Sequence, residues 1–291
     1  MTPLFDRLTV AGVGLIGGSL ALAAREAGLV REVIGLGRSA GNLRVARERG
    51  IVDRIATGPA DAVAGAGAVV LATPVGACAA LAEQLRPHVA PGTLLTDVGS
   101  VKASLVSSLE SRWTDPGSVV GAHPVAGSEE AGAGAARAEL FRGRLCIVTP
   151  TPRTRPEALA TVRRLWEGVG AHVEEMDAAV HDQILARVSH LPHLVASALI
   201  AALASARAGG RTVLDYAGSG LRDTTRVAAG RAELWRDIAL ANADALRAAL
   251  GEFRAALDGL ETLLATGDAS GLERALDAAA AARRRLEGGA R

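Results

Sequence analysis

Three short stretches carry side chains able to act on a bound ligand: Thr73 in "ATPV", Ser100 in "TDVGSVK" and His123 in "GAHPVAG". Each closes an apolar run that reads as a strand. That places all three at carboxyl ends of strands, where open α/β sheets bind ligands. A fourth stretch, "GLRDTTRVA", gathers Arg222, Asp223, Thr224, Thr225 and Arg226 between helical segments. It reads either as a solvated loop or as an anion site, because a guanidinium grips a carboxylate through two hydrogen bonds. The fifth is "SHLPH", which sets His190 and His193 three apart on a helix. That spacing could serve a metal, but no Cys- or Glu-rich partner set accompanies it, and no metal is expected.

These residues need a scaffold, and the first fifty residues describe one. "LTVAGVG" begins as a strand, "LIGGSLALAAREAGL" reads as a helix, and "REVIGLGRS" is a second strand. Gly12, Gly14 and Gly17 fill the three positions of a phosphate-binding turn. The first permits the tight turn, the second lets the backbone approach a pyrophosphate, and the third lets helix pack on strand. Leu15 and Ile16 open the helix, whose free N–H groups attract phosphate. A dinucleotide is the expected ligand.

The second strand ends at Gly37, Arg38 and Ser39, where a carboxylate would select NAD through the ribose hydroxyls. A guanidinium and a hydroxyl there would instead attract a 2′-phosphate, so the reading leans to NADP, with NAD bound beside a solvated or stacked Arg38 as the alternative. Thr73, Pro74 and Val75 should pass over the cofactor, with Gly99 beside Ser100 on the next loop. After residue 177 strand patterns stop. "HDQILARVSHLPHLVASALIAALASARA" reads as a helix bent at Pro192. "AELWRDIALANADALRAALGEFRAALDGLETLLA" reads as one long amphipathic helix. The fold class is therefore α/β, with an N-terminal Rossmann domain over 1–177 and an all-α domain over 178–291. Wide apolar helix faces point to a homodimer formed through the second domain.

Composition narrows the classes. At 291 residues and 49% hydrophobic, the chain can build one or two real cores, and 2% aromatics leaves them to Leu, Val, Ile and Ala. A net charge of +1 offers no field for nucleic acid. No signal peptide and no unambiguous membrane helix are expected. Cys78 and Cys146 form no metal spacing and read as buried free thiols of a reducing compartment. A cytoplasmic protein that binds neither membrane nor nucleic acid is expected.

Taken in order, "GVGLIGGS", "ATPV", "TDVGSVK", "GAHPVAGSE", "SHLPH", "RDTTR" and "LWRDI" resemble the prephenate dehydrogenase family, over about residues 7 to 265. That family includes the arogenate-using and cyclohexadienyl enzymes of tyrosine biosynthesis. The resemblance implies a Rossmann domain, a helical dimerisation domain and an oxidative decarboxylation. Hydride leaves C4 of the cyclohexadiene for nicotinamide, the 4-hydroxyl loses its proton, and CO2 departs as the ring becomes aromatic. It makes His123 the catalytic base and Ser100 the residue that orients it and the hydroxyl. Arg226 would bind a substrate carboxylate, and His193 and Ser189 the side-chain end. Ser128 would line the pocket, with Trp235 and Asp223 near it. Glu129, Glu130 and His193 are candidates for telling a keto from an amino side chain. Neither an added ACT domain nor a fused chorismate mutase domain is expected. Competing readings are a 4-amino-4-deoxyprephenate dehydrogenase and a non-catalytic NAD(P) binder. A β-hydroxyacid or imine reductase is disfavoured, because no Lys follows Lys102.

Overall fold

The computed structural model describes residues 2–127 and 130–288. The chain alternates strand and helix from the start: β1 (Phe5–Ala11), α1 (Leu15–Glu26), β2 (Val30–Leu36), α2 (Ala40–Glu48), β3 (Arg54–Ile55), α3 (Pro59–Val63) and β4 (Ala68–Leu71). It continues with α4 (Val75–Leu85), β5 (Leu94–Asp97), α5 (Ala103–Glu110), β6 (Val119–Pro124), β7 (Leu145–Thr149), α6 (Pro156–Gly168) and β8 (His172–Glu175). The strands form one sheet in the order β3-β2-β1-β4-β5-β6-β7-β8. All neighbours are parallel except β6 and β7. The order reverses between β1 and β4, which makes that crevice the switch point of a doubly wound sheet.

Strands covered on both faces should be apolar almost throughout. Every residue of β4, β5 and β6 is buried. Alternate side chains then feed two cores. Val10, Leu20, Val33, Phe141 and Trp166 lie in one, and Ala11, Val63, Leu71, Leu85 and Leu109 in the other. Phe141 and Trp166 meet edge to face at 5.2 Å, so the few aromatics are placed where they bury most. Cys78 and Cys146 are buried free thiols, as expected. Burial pushes the Cys78 thiol up to about 11 and that of Cys146 higher still, which leaves both protonated and unreactive.

Beyond the sheet lie α7 (Ala178–Leu185) and α8 (Leu191–Ala204), joined without a break by a π-helical turn over Ala186–His190. The expected bend at Pro192 is thus replaced by a π turn directly before it. Pro192 therefore lies inside the continuous helix, and the π turn takes up the place where its missing N–H would have bonded back along an α-helical ladder. The uninterrupted helix Ala178–Ala204 is, by length and composition, the one described helix apolar enough to cross a membrane, a result the expected break had hidden. It nevertheless carries the buried polar residues His181, Asp182, His190 and His193.

A small hairpin of β9 (Arg207–Ala208) and β10 (Arg211–Thr212) follows, then α9 (Ser219–Thr225), α10 (Ala232–Ala241), α11 (Ala243–Thr266) and α12 (Ala269–Gly288). Two expectations change here. "RDTTR" is largely helical, because Arg222 to Thr225 form the end of α9. The single long helix is interrupted at Asn242, whose φ of −118° and ψ of 33° leave helical geometry. The chain divides into two compact units, one ending at Ala243 and one beginning at Asp244. In the second unit, Gly267 turns the chain at φ +66° and the Asp268 carboxylate accepts the N–H of Gly271 at 2.8 Å, opening α12.

Candidate active site

β5 ends in Asp97, a carboxylate with no solvent exposure. Its Oδ1 accepts the N–H of Ala122 at 3.2 Å, and its Oδ2 accepts that of Gly99 at 2.7 Å. Lys102, equally buried, pairs with the same Oδ2 and donates to the Ala122 carbonyl at 3.0 Å. An ion pair is tolerable in a core when its hydrogen bonds are satisfied in this way. It ties the Gly99–Ser100 loop to β6 at the residue before His123.

His123 is 8% exposed. Its Nδ1 lies 2.8 Å from Nε2 of His181, with the rings edge to face. His181 Nδ1 lies 2.8 Å from Oδ1 of Asp182. The Asp182 carboxylate accepts the backbone N–H of Lys102 at 2.7 Å and of Ala103 at 2.9 Å, so the middle of α7 is held on the start of α5. Burial above all, then His181 and Lys102, keeps His123 well below the usual imidazole range. That direction favours the unprotonated ring, the form a proton acceptor needs.

Next to it lies a second group of rings. Asn242 Nδ2 donates to the Asp182 carbonyl at 2.8 Å and to His190 Nδ1 at 3.2 Å. This is why the helical run breaks at Asn242: its amide is needed here. With Nδ1 accepting, His190 Nε2 carries the proton, yet it has no hydrogen-bond partner although the residue is 1% exposed. Burial pushes His190 down to about 4, against the pull of Asp182, with the Ser100 backbone facing its ring. His193 stacks on Trp235 with ring centroids 3.6 Å apart and planes within 10°, and its Nδ1 also lacks a partner. Burial lowers it too, and the backbone of Val227 faces it.

The structure thus brings together His123, Ser100, His193 and Trp235 from four separated stretches. Arg226 is exposed and opens the short 3₁₀ segment Arg226–Ala229, which packs on α8 beside His193. Ser189 is half-buried in the π turn, and Asp223 is exposed on α9. Ser128 and Glu129 lie outside the described residues. His181, Asp182 and Asn242 escaped sequence reasoning, while Asp97, His190 and Lys102 lay in motifs it quoted without the contacts found here. For His181 and Asp182 the signal that could have found them is a polar pair on the inner face of an otherwise apolar helix.

The nucleotide side is built by steric necessity. Gly12 has φ +106°, and a Cβ on it would fall 2.4 Å from the Ala72 carbonyl. One on Gly17 would fall 2.3 Å from the Gly12 carbonyl. Gly14, which caps α1, has nothing within 4 Å on that side, so an open cradle stands before the helix start at Leu15, Ile16 and Gly17. The residues present therefore fit a bound pyrophosphate. The close approach of Gly12 to Ala72 and Thr73 sets the Thr73-Pro74-Val75 turn against the cradle, and Val75 in turn borders Gly99.

At the end of β2, Arg38 is exposed, while the Ser39 hydroxyl accepts the Asn42 N–H at 3.2 Å and caps α2. The hydroxyl accepts in that cap, which leaves its O–H as a donor. A Cβ on Gly37 would make only ordinary contact with Leu43.

A doubly wound sheet with an open glycine turn at its switch point, followed by helices carrying a histidine cluster, defines a nucleotide-binding α/β protein with a helical second half. Comparison with known proteins narrows this. Residues 20–175 match the nucleotide-binding domain of prephenate dehydrogenase, and residues 177–278 match its dimerization domain. The cyclohexadienyl dehydrogenase of Zymomonas mobilis is 35% identical over 266 residues, 91% of this chain and 90% of its own. A crystal structure of prephenate dehydrogenase from Aquifex aeolicus, in complex with hydroxyphenyl propionate and NAD+, is similar with a TM-score of 0.92 and 32% identity. It covers 97% of this chain and 98% of that one. Synechocystis arogenate dehydrogenase gives 0.83 and 34%, over 96% and 99%. The chain belongs to the prephenate dehydrogenase family.

Proposed function

We propose that this protein oxidatively decarboxylates prephenate, arogenate or both, with hydride transfer to NAD(P)+, in tyrosine biosynthesis. The observation that carries the reading is His123: a buried imidazole on the strand after the Gly99–Ser100 loop, held below the usual imidazole range by burial and set beside the buried rings of His181 and His190. A bound nicotinamide supplies the acceptor for the hydride from C4. His123 takes the proton of the 4-hydroxyl as that hydride leaves. The C1–carboxylate bond then breaks, its electron pair enters the ring, and CO2 departs. The ring oxygen recovers the proton from His123, so no proton is gained or lost overall. Aromatisation drives the reaction, which leaves positioning and one base as the protein's main contribution.

Ser100 orients the hydroxyl and the imidazole. Arg226 holds a carboxylate, and Ser189 and His193 meet the side-chain end, with Trp235, Asp223 and Ser128 around it. Gly12, Gly14, Leu15, Ile16 and Gly17 hold the pyrophosphate, with Thr73, Pro74, Val75 and Gly99 over the cofactor. The corner at Gly37, Arg38 and Ser39 carries no carboxylate, and its exposed guanidinium suits the 2′-phosphate of NADP. A soluble cytoplasmic homodimer completes the reading. Exposed Val180, Ile184 and Val188, at four-residue spacing on the helix of residues 178–204, support pairing through this half.

The test is a two-by-two assay: prephenate or arogenate, each with NAD+ or NADP+, followed at the absorbance of the reduced nicotinamide. Turnover is expected in at least one combination, and the kcat/KM ratios give both preferences. No turnover in any of the four, with nucleotide binding intact, would refute the reading.

A further inference from the structure

We infer that His181 and Asp182 are positioning residues that set the tautomer of His123, leaving its lone pair on Nε2. This rests on the reading of His123 as the proton acceptor. The argument starts from the Asp182 carboxylate, which can only accept hydrogen bonds. Two backbone N–H groups, from Lys102 and Ala103, already hold it at the start of α5. The ring atom 2.8 Å from its Oδ1, His181 Nδ1, must therefore carry a proton. A neutral imidazole with a protonated Nδ1 has a bare Nε2. That bare nitrogen lies 2.8 Å from His123 Nδ1, so His123 Nδ1 must donate. The lone pair of His123 is thereby assigned to its other nitrogen, Nε2.

Each link is buried: His181 has no exposure, Asp182 is 5% exposed and His123 8%. Without the relay either tautomer of His123 is open, and the one bearing Nε2–H cannot take the substrate's proton. The relay also serves the step itself. When the O–H bond of the substrate breaks, the proton joins His123 Nε2 and the ring becomes a cation. Its Nδ1–H bond to His181 then strengthens, and the Asp182 carboxylate balances the charge at one remove.

The test reads the tautomer directly and separately from turnover. The protein has six histidines, few enough for a resolved proton–nitrogen correlation spectrum of nitrogen-15-labelled imidazoles. The apo protein is used at pH 7.5, and His123→Asn assigns the His123 signals. The expected spectrum shows His123 and His181 each with Nδ1 protonated and Nε2 bare. His181→Phe removes the acceptor, so His123 should populate the Nε2–H form. The kcat should then fall about 10- to 100-fold, less than the 10²–10⁴ that general-base catalysis is worth, with KM changed less than about twofold. In His181→Gln a side-chain carbonyl still accepts from His123 Nδ1, and most of kcat should return.

The inference is overturned by a wild-type His123 protonated on Nε2, or by a His181 protonated on both nitrogens. It is equally overturned if His181→Phe keeps the Nδ1–H form and full kcat. Should His181→Phe fail to fold, the wild-type spectrum and the glutamine variant decide. Failure of the functional reading looks different: the expected spectrum with no turnover of any substrate–cofactor pair.

Discussion

Lowering the pH from 7 to 4 should destabilise the fold through His190, by an amount that can be worked out. Burial holds its folded-state pKa at about 4, against 6.5 for an exposed imidazole. Between those two values the unfolded chain binds a proton that the folded chain refuses. Stability is therefore complete above pH 6.5 and is lost as pH falls toward 4. At about 1.36 kcal/mol per unit, the 2.5-unit window amounts to about 3 kcal/mol. That is a large share of a typical 5–15 kcal/mol. His123 and His193 are lowered by burial as well and act in the same direction. The assay is urea unfolding at fixed protein concentration across pH 4 to 7.5, comparing wild type with His190→Gln. The variant keeps a side chain able to bond Asn242 but binds no proton. Wild type should lose about 3 kcal/mol more than the variant over that range. Parallel loss in the two proteins would refute the linkage and the buried, unprotonated state of His190.

Three further outcomes follow from the site. His123→Asn should lower kcat about 10²–10⁴-fold with little change in KM, measured by steady-state kinetics, because its bond strengthens only as the proton leaves. Arg226→Ala should mainly raise KM, consistent with lost carboxylate binding, and an unchanged KM would remove it from that role. The second and third glycine positions of the turn should part company. Gly17→Ala, with its Cβ 2.3 Å from a backbone carbonyl, should lower Tm and lose nucleotide binding. Gly14→Ala has open space and should keep Tm while binding nucleotide more weakly, read by calorimetric titration.

The sheet was legible because its signals are local. Turn glycines, apolar strands and strand-end polar residues each announce themselves within a few positions. The histidine relay was not, because His123 and His181 stand 58 residues apart and only the packing of α7 on α5 joins them. Asn242 looked like an ordinary polar position in an amphipathic run. Its task depends on Asp182 and His190, which no helical periodicity reveals. Ser39 was read for its hydroxyl, and its further task as the cap of α2 went unread although a Ser before a helix signals it. At Pro192 the expected bend assumed an α-helical ladder that needed the missing N–H; the chain took a π turn instead.

That π turn also sets an angular phase. A π turn holds one residue more than an α turn, so everything after Ala186–His190 is rotated by about 100° from where an unbroken α-helix would put it. His181 and Asp182 precede the extra residue, while His193 follows it. Deleting one residue from the turn would give a more regular helix and a worse protein: α8 would swing by nearly a third of a turn and carry His193 off its stack with Trp235. The irregularity is thus a length constraint, and insertions or deletions between Leu185 and Leu191 should be far less tolerated than substitutions there.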